Sequence, residues 1–217
     1  MPEIDLLVNY PKTKRNVSER GIQKTEEDRR IGRLFGRDYF DGDRRYGYGG
    51  YNYHPRFWQP VVPSFVQHYA LTSSSSILDV GCAKGFMMHD FADIVPGIKL
   101  KGLDISEYAV SQALQDMKPL ISQGNANDLP FADRSFDLVI SINTIHNLPP
   151  EECAQALREI QRVGRRAFIT VDAYRTLEEK ERMNAWNLTA LTFMHVDEWE
   201  ALFKQAGYTG DYFWFIP

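Results

Sequence analysis

Residues 77–86, ILDVGCAKGF, decide the fold of this chain together with residues 100–106, LKGLDIS. The run ILDV is short and mostly apolar, as in a buried strand, and it enters a turn with glycine at positions 81 and 85. Apolar residues then recur at helical spacing, at Met88, Phe91, Ala92 and Val95. The second run begins with a mostly apolar strand that ends on Asp104, about 20 residues after the turn. The sequence therefore predicts a strand, a glycine turn (residues 81–85), a helix and a second strand that ends in an acid.

This succession of elements is typical of proteins that bind the adenosine half of a nucleotide-like cofactor. Glycines let the backbone approach the ligand, and the carboxylate accepts hydrogen bonds from the ribose hydroxyls. Two features argue against NAD. The turn reads D-x-G-x-A-x-G rather than G-x-G-x-x-G. In addition, Asp79, just before the turn, would repel a pyrophosphate but attract a cationic amine.

Residues 124–148, GNANDLPFADRSFDLVISINTIHNL, complete the pattern. With the two earlier segments they resemble the class I S-adenosylmethionine-dependent methyltransferases, in the broad group that carries G-D-A-x-x-L-P-F and S-F-D-x-V. The three motifs follow the family's order and spacing, and the resemblance covers residues 76–216. It implies an α/β fold with a Rossmann-like, mostly parallel sheet and helices on both faces. It also implies S-adenosylmethionine as cofactor and methyl transfer as the reaction.

The resemblance further implies which residues bind the cofactor. Gly81 presents its backbone to the methionine amine, Asp104 binds the ribose, and Asn143 faces the methionine moiety. Two positions depart from the family pattern, because Ala83 replaces the middle glycine of the turn and Asn125 replaces the aspartate of G-D-A. The amide oxygen of Asn125 still accepts a hydrogen bond from adenine. The expected cofactor-binding residues are Asp79, Gly81, Cys82, Ala83, Gly85, Asp104, Ile105, Asn125, Ala126 and Asn143.

Length and composition suit one α/β domain with an extension, since the chain has 217 residues of which 43% are hydrophobic. The 25 Lys+Arg and 29 Asp+Glu residues give a net charge of −4, which argues against a nucleic-acid partner. A disulfide between Cys82 and Cys153 is not expected, which fits a reducing compartment. No apolar run approaches a membrane span of about 18 residues. We therefore expect a cytoplasmic protein without a membrane partner.

From residue 76 onward, strand-like and helix-like segments alternate, which favours a parallel sheet with helices on both faces. We divide the chain into an N-terminal helical extension with an aromatic lid (1–75) and a methyltransferase domain (76–217). Strands are expected near 76–81, 98–104, 119–123, 136–142, 166–172 and 208–215, and helices near 85–95, 107–117, 150–163, 177–186 and 196–206. The family's sheet usually ends in two antiparallel strands. The sequence shows only one of these two strands clearly. Either residues 190–194 supply the other, or the sheet edge is shortened. A homodimer that covers the edge is a further possibility.

The N-terminal extension contains two predicted helices, one that Thr25 caps and Gly36 ends, and one near 57–71. Between them, residues 39–58, YFDGDRRYGYGGYNYHPRFW, form a tyrosine-rich segment with many glycines and arginines. One interpretation is an irregular loop whose rings pack on the domain. The other is a lid, in which tyrosine faces stabilise the sulfonium and arginines bind an anionic substrate. The expected substrate-binding residues are Arg44, Arg45, Tyr51, Arg56, Asp172 and Tyr174.

Methyl transfer needs alignment of the reactants, and it needs a base only where the nucleophile carries a proton with a high pKa. His146 is the first candidate, because it lies just beyond the fourth predicted strand. Alternatively, His146 has only a structural role and is hydrogen-bonded to the backbone of its loop. His54 and Tyr53, in the tyrosine-rich segment, are further candidates. The histidines are scattered and no Cys/His spacing fits zinc, so no metal site is expected.

The sequence therefore predicts methyl transfer to a small molecule, with an anionic or sugar-type hydroxyl or amine as the acceptor. An RNA or protein methyltransferase is one alternative, and a separate basic module would favour it. A non-catalytic subunit that binds S-adenosylmethionine is another, and it would leave His146 away from the pocket. An aminopropyl transferase of similar fold is a further alternative. That group usually has an acid-rich signature after the fourth strand, and this chain has residues 143–147, NTIHN, at that place.

Overall fold

The computed structural model describes residues 2–11 and 24–217, and this part of the chain forms one α/β sheet structure. Its strands are β1 (Ser76–Val80), β2 (Lys99–Asp104), β3 (Ile121–Gln123), β4 (Leu138–Ile142), β5 (Ala167–Tyr174), β6 (Met194–His195) and β7 (Asp211–Phe215). Its helices are α1 (Glu26–Gly32), α2 (Arg37–Asp41), α3 (Val62–Tyr69), α4 (Phe86–Ile94), α5 (Glu107–Ser111), α6 (Pro150–Val163), α7 (Leu177–Trp186) and α8 (Val196–Ala206). Short 3-10 helices lie at Lys118–Leu120 and Ile145–Asn147.

The strands lie in the order β3-β2-β1-β4-β5, and the free edge of β5 is shared by β7 and β6. Every strand pair in the described residues is parallel. The direction in which strands are added reverses between β1 and β4. The crevice at the carboxyl ends of these two strands is therefore the place where open α/β sheets bind their ligands. The predicted Rossmann-like fold class is confirmed.

The sheet buries apolar side chains on both faces, which explains the nearly continuous apolar sequence of its strands. Successive residues of a strand enter different cores, because side chains alternate across a sheet. Ile77 packs in the core under α3 and α4, whereas Leu78 packs in the core under α6 and α8. Both side chains are almost fully buried. The helices thus lie on both faces, as the alternating pattern predicts.

The far edge of the sheet is shortened, which was one of the two expected alternatives. β6 has only two residues, and it pairs with Ala173 and Tyr174 at the end of β5. β7 pairs with residues 168–172 and runs parallel to β5, because α8 returns the chain to the amino end of the sheet first. No antiparallel hairpin forms in the described residues. The outer edge of β7 then meets the N-terminal segment: the Ile4 amide donates to the Tyr212 carbonyl at 2.9 Å.

Several predicted helices are shorter in the structure. α5 stops at Ser111 rather than near 117, because the Leu114 amide leaves the helix and donates to the Lys84 carbonyl at 3.1 Å. In the extension, α1 ends at Gly32 instead of Gly36, and its predicted cap is present, with a reciprocal bond between Thr25 and Asp28. The expected helix near 57–71 is the shorter α3. The predicted helices near 150–163, 177–186 and 196–206 agree with α6, α7 and α8. No described helix has the length and apolar character needed to span a membrane.

Candidate active site

A cavity of about 1130 Å³ lies at the carboxyl ends of β1, β2, β4 and β5. Nine of the ten predicted cofactor-binding residues line it: Asp79, Gly81, Cys82, Ala83, Asp104, Ile105, Asn125, Ala126 and Asn143. The tenth, Gly85, is the last residue of the turn and precedes the first residue of α4, with a φ of 79°. The sequence motifs thus converge on one wall of a single cavity.

The glycine turn is shaped by close backbone contacts. Gly81 has a φ of 83°, and a Cβ placed there would lie 2.1 Å from the Thr144 hydroxyl oxygen. No side chain fits at that distance, so position 81 requires glycine. Ala83 also adopts the left-handed region, with a φ of 48°. Its amide donates to Asp104 Oδ2 at 2.7 Å, which holds the turn against the end of β2.

Asp104 is a buried carboxylate held by backbone amides. Besides Ala83, the Ser106 amide donates to its other oxygen at 2.8 Å. Burial raises the pKa of Asp104, and these two amides oppose that shift. A carboxylate has about four acceptor sites, so Asp104 keeps acceptor capacity for a hydroxyl pair in the cavity. The arrangement fits the ribose of a nucleoside.

The side-chain carboxylate of Asp79 has no hydrogen-bond or ion-pair partner within the described part of the chain, although Asp79 is only 7% exposed. Burial, and then the negative charge of Asp104, raise the pKa of Asp79 to about 7. A buried carboxylate that lines a cavity without a cation is stabilised by a ligand that brings one. The α-amine of S-adenosylmethionine is such a group, so the residues present fit this cofactor.

Asn143 directly follows β4, and Thr170 of β5 holds it in place. Its backbone amide donates to the Thr170 carbonyl at 3.1 Å, and the Thr170 hydroxyl donates to Asn143 Oδ1 at 2.7 Å. Asparagine tolerates the left-handed φ of 51° found here. Because its carbonyl oxygen is engaged, Asn143 has its side-chain NH₂ to offer a ligand.

His146 lies in the 3-10 helix after β4, and it lines the cavity while being only 4% exposed. Its Nδ1 accepts a hydrogen bond from the Asp172 amide at 2.9 Å and lies 3.5 Å from Asp172 Oδ1. Burial lowers the pKa of His146, against the opposing effect of Asp172, so the ring is neutral at pH 7. His146 is therefore hydrogen-bonded to backbone, as one of its two interpretations predicts, and its ring also lines the cavity.

The tyrosine-rich segment lines part of the cavity and is fastened to the glycine turn. Lys84 Nζ donates to Asp41 Oδ2 at 2.6 Å and to the Tyr51 carbonyl at 2.8 Å. The Tyr108 hydroxyl donates to the same Asp41 oxygen at 2.8 Å. The Tyr51 ring stacks on Phe86, with centroids 4.7 Å apart. Sequence analysis did not single out Lys84 or Asp41; a lysine inside an otherwise small-residue turn was the available signal.

Two predicted catalytic residues lie outside the cavity lining. The Tyr53 hydroxyl donates to Asp90 Oδ1 at 2.6 Å, which turns it toward α4. His54 is exposed, and its Nδ1 accepts from the Arg56 amide at 3.2 Å. Both side chains are therefore engaged outside the wall where the cofactor residues meet.

The predicted substrate-binding residues divide in the same way. Arg45 pairs with the buried Asp28 at 3.1 Å, and Tyr174 packs beside Phe193, so neither lines the cavity. Arg44 lines it, but its guanidinium donates to two carbonyls of its own loop. Tyr51, Arg56 and Asp172 also line the cavity.

Of the remaining wall, the sequence indicates only the helix at residues 177–186, whose last residue, Trp186, lines the cavity. The other side chains of this wall are mainly apolar and aromatic and come from three distant segments: Leu7, Tyr10, Leu188, Phe213, Phe215 and Ile216. Only tertiary structure brings these distant segments together. No cluster of His, Cys, Asp or Glu in the described residues could hold a metal ion.

Comparisons with known proteins identify methyltransferases among the relatives of this chain. Residues 77–167 match the model of a family described as a methyltransferase domain. The 27-O-demethylrifamycin SV methyltransferase of Amycolatopsis mediterranei is 26% identical, over 63% of this chain and 55% of its own. The demethylmenaquinone methyltransferase of Symbiobacterium thermophilum is 32% identical, over 54% of this chain and 49% of its own. This chain spans about half the length of these two curated relatives.

A solved structure shares the fold. The YcgJ protein of Bacillus subtilis superposes with a TM-score of 0.55 at 21% identity, covering 67% of this chain and 66% of that chain. Fold and site resemble those of the class I S-adenosylmethionine-dependent methyltransferases. The family match shows a methyltransferase domain at residues 77–167, which is less than half of the chain. The family and cofactor predicted from the sequence are confirmed.

Proposed function

We propose that this protein transfers a methyl group from S-adenosylmethionine to a small-molecule acceptor with an apolar, ring-containing body. The observation that carries the proposal is the composition of the cavity. One end has two buried carboxylates, Asp79 and Asp104, and the other end is walled by aromatic rings. The cofactor, when bound, supplies a methyl group on a sulfonium. The protein's task is then to align the acceptor and exclude water.

The cavity has room for two molecules. Ligand pockets typically enclose about 300–1,000 Å³, and this cavity is about 1130 Å³. Flat, rigid rings such as Trp58, Trp186 and Phe215 suit an acceptor that is itself flat and apolar. The two relatives described above act on named small molecules, demethylrifamycin SV and demethylmenaquinone, which supports a small-molecule acceptor.

The charges at the acceptor end favour a neutral acceptor over an anionic sugar. Arg45 is paired with Asp28, and Arg44 is bonded to its own loop. Asp172 places a buried carboxyl group in the lining. An anionic ligand would meet Arg56 at this end but would also approach Asp172. The proposed acceptor therefore differs from the anionic group expected from the arginines.

Two observations favour this proposal over the alternatives. The net charge of −4 gives an RNA no general attraction. A non-catalytic subunit would leave His146 away from the pocket, whereas this ring lines the cavity.

Calorimetric titration with S-adenosylmethionine tests the cofactor half of the proposal. Asp104→Ala and Asp104→Asn should weaken binding at least about tenfold, because each hydrogen bond to a charged carboxylate contributes about 1.5–3 kcal/mol. Asp93→Ala, on the exposed side of α4, is the matched control and should bind as the wild type does. Thermal melts report whether each variant is folded. No binding by folded wild-type protein would overturn the proposal.

Label transfer from S-[methyl-³H]adenosylmethionine tests the acceptor half. We expect the wild type to methylate 2-naphthol, a flat hydroxylated ring system, and not glucuronate, an anionic sugar. The reverse preference would contradict an apolar acceptor and return the anionic-sugar hypothesis.

A further inference from the structure

Asp172 holds a buried carboxylate at the acceptor end of the cavity. It is 6% exposed. Its backbone is fully used, since its amide donates to His146 Nδ1 and its carbonyl accepts from Trp199 Nε1, both at 2.9 Å. In the described part of the chain, no group donates a hydrogen bond to its carboxylate oxygens. A buried carboxylate without a donor is costly, so a donor from the ligand would stabilise it.

The neighbouring His146 is in the wrong tautomer to act as a base. Nδ1 accepts the Asp172 amide hydrogen, so Nδ1 carries the lone pair and the ring proton is on Nε2. Nε2 then has no lone pair with which to take a proton. Use of Nε2 as a base would require the proton to move to Nδ1 and the Asp172 amide bond to break. No described residue accepts from Nε2, which leaves its N–H to donate to the acceptor oxygen.

We propose that Asp172, and not His146, takes the proton from the methyl acceptor, and that the acceptor group is therefore a hydroxyl. The inference rests on the proposed methyl transfer. In the step, a lone pair of the hydroxyl oxygen forms the C–O bond to the methyl carbon. The C–S bond breaks and its electron pair passes to sulfur, so the sulfonium becomes a neutral thioether. The hydroxyl proton passes to the Asp172 carboxylate and from there to solvent.

The imidazole tautomer tests the assignment without cofactor or acceptor. Long-range ¹H–¹⁵N correlation on protein labelled at its five histidines should show His146 neutral and protonated on Nε2 at pH 7. Comparison with His146→Gln identifies its signals. A proton on Nδ1 would leave Nε2 free to act as the base and would overturn the proposal.

Kinetics with two naphthols test the proton transfer itself. Asp172→Asn should lower kcat for 2-naphthol by about 10²–10⁴, the usual contribution of a general base. The loss should be smaller for 6-cyano-2-naphthol, whose hydroxyl is more acidic and depends less on a base. Asp93→Asn is the matched control, and calorimetry should show S-adenosylmethionine binding retained in both variants. An equal loss with both naphthols, or no loss, overturns the role of Asp172, because positioning does not depend on acceptor acidity. The same comparison on His146→Gln should show no dependence on acidity.

Failure of this proposal can be told apart from failure of the proposed function. Methylation of 2-naphthylamine without methylation of 2-naphthol would retain methyl transfer and overturn the hydroxyl assignment. If the wild type binds S-adenosylmethionine but methylates neither probe, the proposal of an apolar, ring-containing acceptor is overturned. The tautomer of His146 then decides alone whether Asp172 remains the proton acceptor.

Discussion

At the scale of single residues, the cofactor end of the cavity is defined by two acids with different surroundings. Asp104 is held by two backbone amides, whereas Asp79 has no partner in the described residues. The sequence indicated both, because Asp104 ends one strand of the predicted motif and Asp79 lies one residue before the end of the other. It could not indicate how they differ, since the Ala83 amide that reaches Asp104 belongs to a turn whose shape depends on Gly81 and Thr144.

The raised pKa of Asp79, about 7 against an ordinary value of 3.8, predicts a pH-dependent stability. Between these values the folded state holds a proton that the unfolded state has lost, so this contribution to stability is present below pH 3.8 and is lost as the pH rises through 7. Asp79→Asn should therefore stabilise the cofactor-free protein at pH 8, by a few kcal/mol in urea unfolding, and have little effect at pH 4. If Asp79 faces the cofactor amine as we propose, S-adenosylmethionine should bind Asp79→Asn more weakly at pH 8, because the carboxylate is gone.

The exposed Asp93 gives the control for this pH dependence. Asp93→Asn should have similar effects on stability at both pH values. Equal stabilisation by Asp79→Asn at pH 4 and pH 8 would contradict the assignment.

At the scale of elements, the glycine turn and the tyrosine-rich segment form one unit. Lys84 joins them through Asp41 and the Tyr51 carbonyl, and the lysine is only 6% exposed. The sequence predicted both segments but not their connection, because an ion pair between residues far apart in the chain leaves no periodic pattern. α5 illustrates the same limit. Its helical spacing continues past Ser111, but the Lys84 carbonyl captures the Leu114 amide and ends the helix.

Lys84→Met should loosen the tyrosine-rich segment while the sheet stays folded. The change leaves the Asp41 carboxylate, which is 24% exposed, without its cation. We expect this loss to cost about 1–3 kcal/mol. Hydrogen exchange followed by mass spectrometry should show faster exchange in residues 39–51 and unchanged protection in β1 and β4.

A double variant separates the ion pair from general damage. Asp41→Asn added to Lys84→Met should restore part of the protection, because the unpaired carboxylate is removed. Exchange that is equally fast in the single and double variants would show that the ion pair is not what fastens the segment.

At the scale of the whole molecule, the N-terminal segment completes the sheet. Residues 2–4 lie beside β7, and Glu3 also pairs with Arg175 at 2.7 Å. These residues belong to the extension in the division drawn from the sequence. A homodimer at the far edge of the sheet is one possibility that the sequence raises. Residues 2–4 of the chain itself partly cover this edge, which protects an otherwise exposed strand.

Ile4→Pro should uncover that edge. Proline has no amide hydrogen, so the 2.9 Å bond from Ile4 to the Tyr212 carbonyl is lost. We expect a loss of about 1–3 kcal/mol in unfolding free energy and self-association that increases with concentration in sedimentation velocity. Ile4→Ala keeps the amide and should stay closer to the wild type in both measurements. If Ile4→Pro behaves like Ile4→Ala, the edge contact does not stabilise the sheet.

The sequence by itself determined the fold class and the cofactor, and it indicated the residues that we propose bind this cofactor. Strand periodicity, glycine positions and acids at strand ends are local, and each has one physical meaning within the chain segment that carries it. Tertiary structure alone decided the acceptor end. His146 and Asp172 come from different strand ends, Lys84 reaches Asp41 across the turn, and Tyr10 and Phe215 come from opposite ends of the chain. Which nitrogen of His146 holds its proton depends on a backbone amide 26 residues away, and no local pattern encodes such a contact.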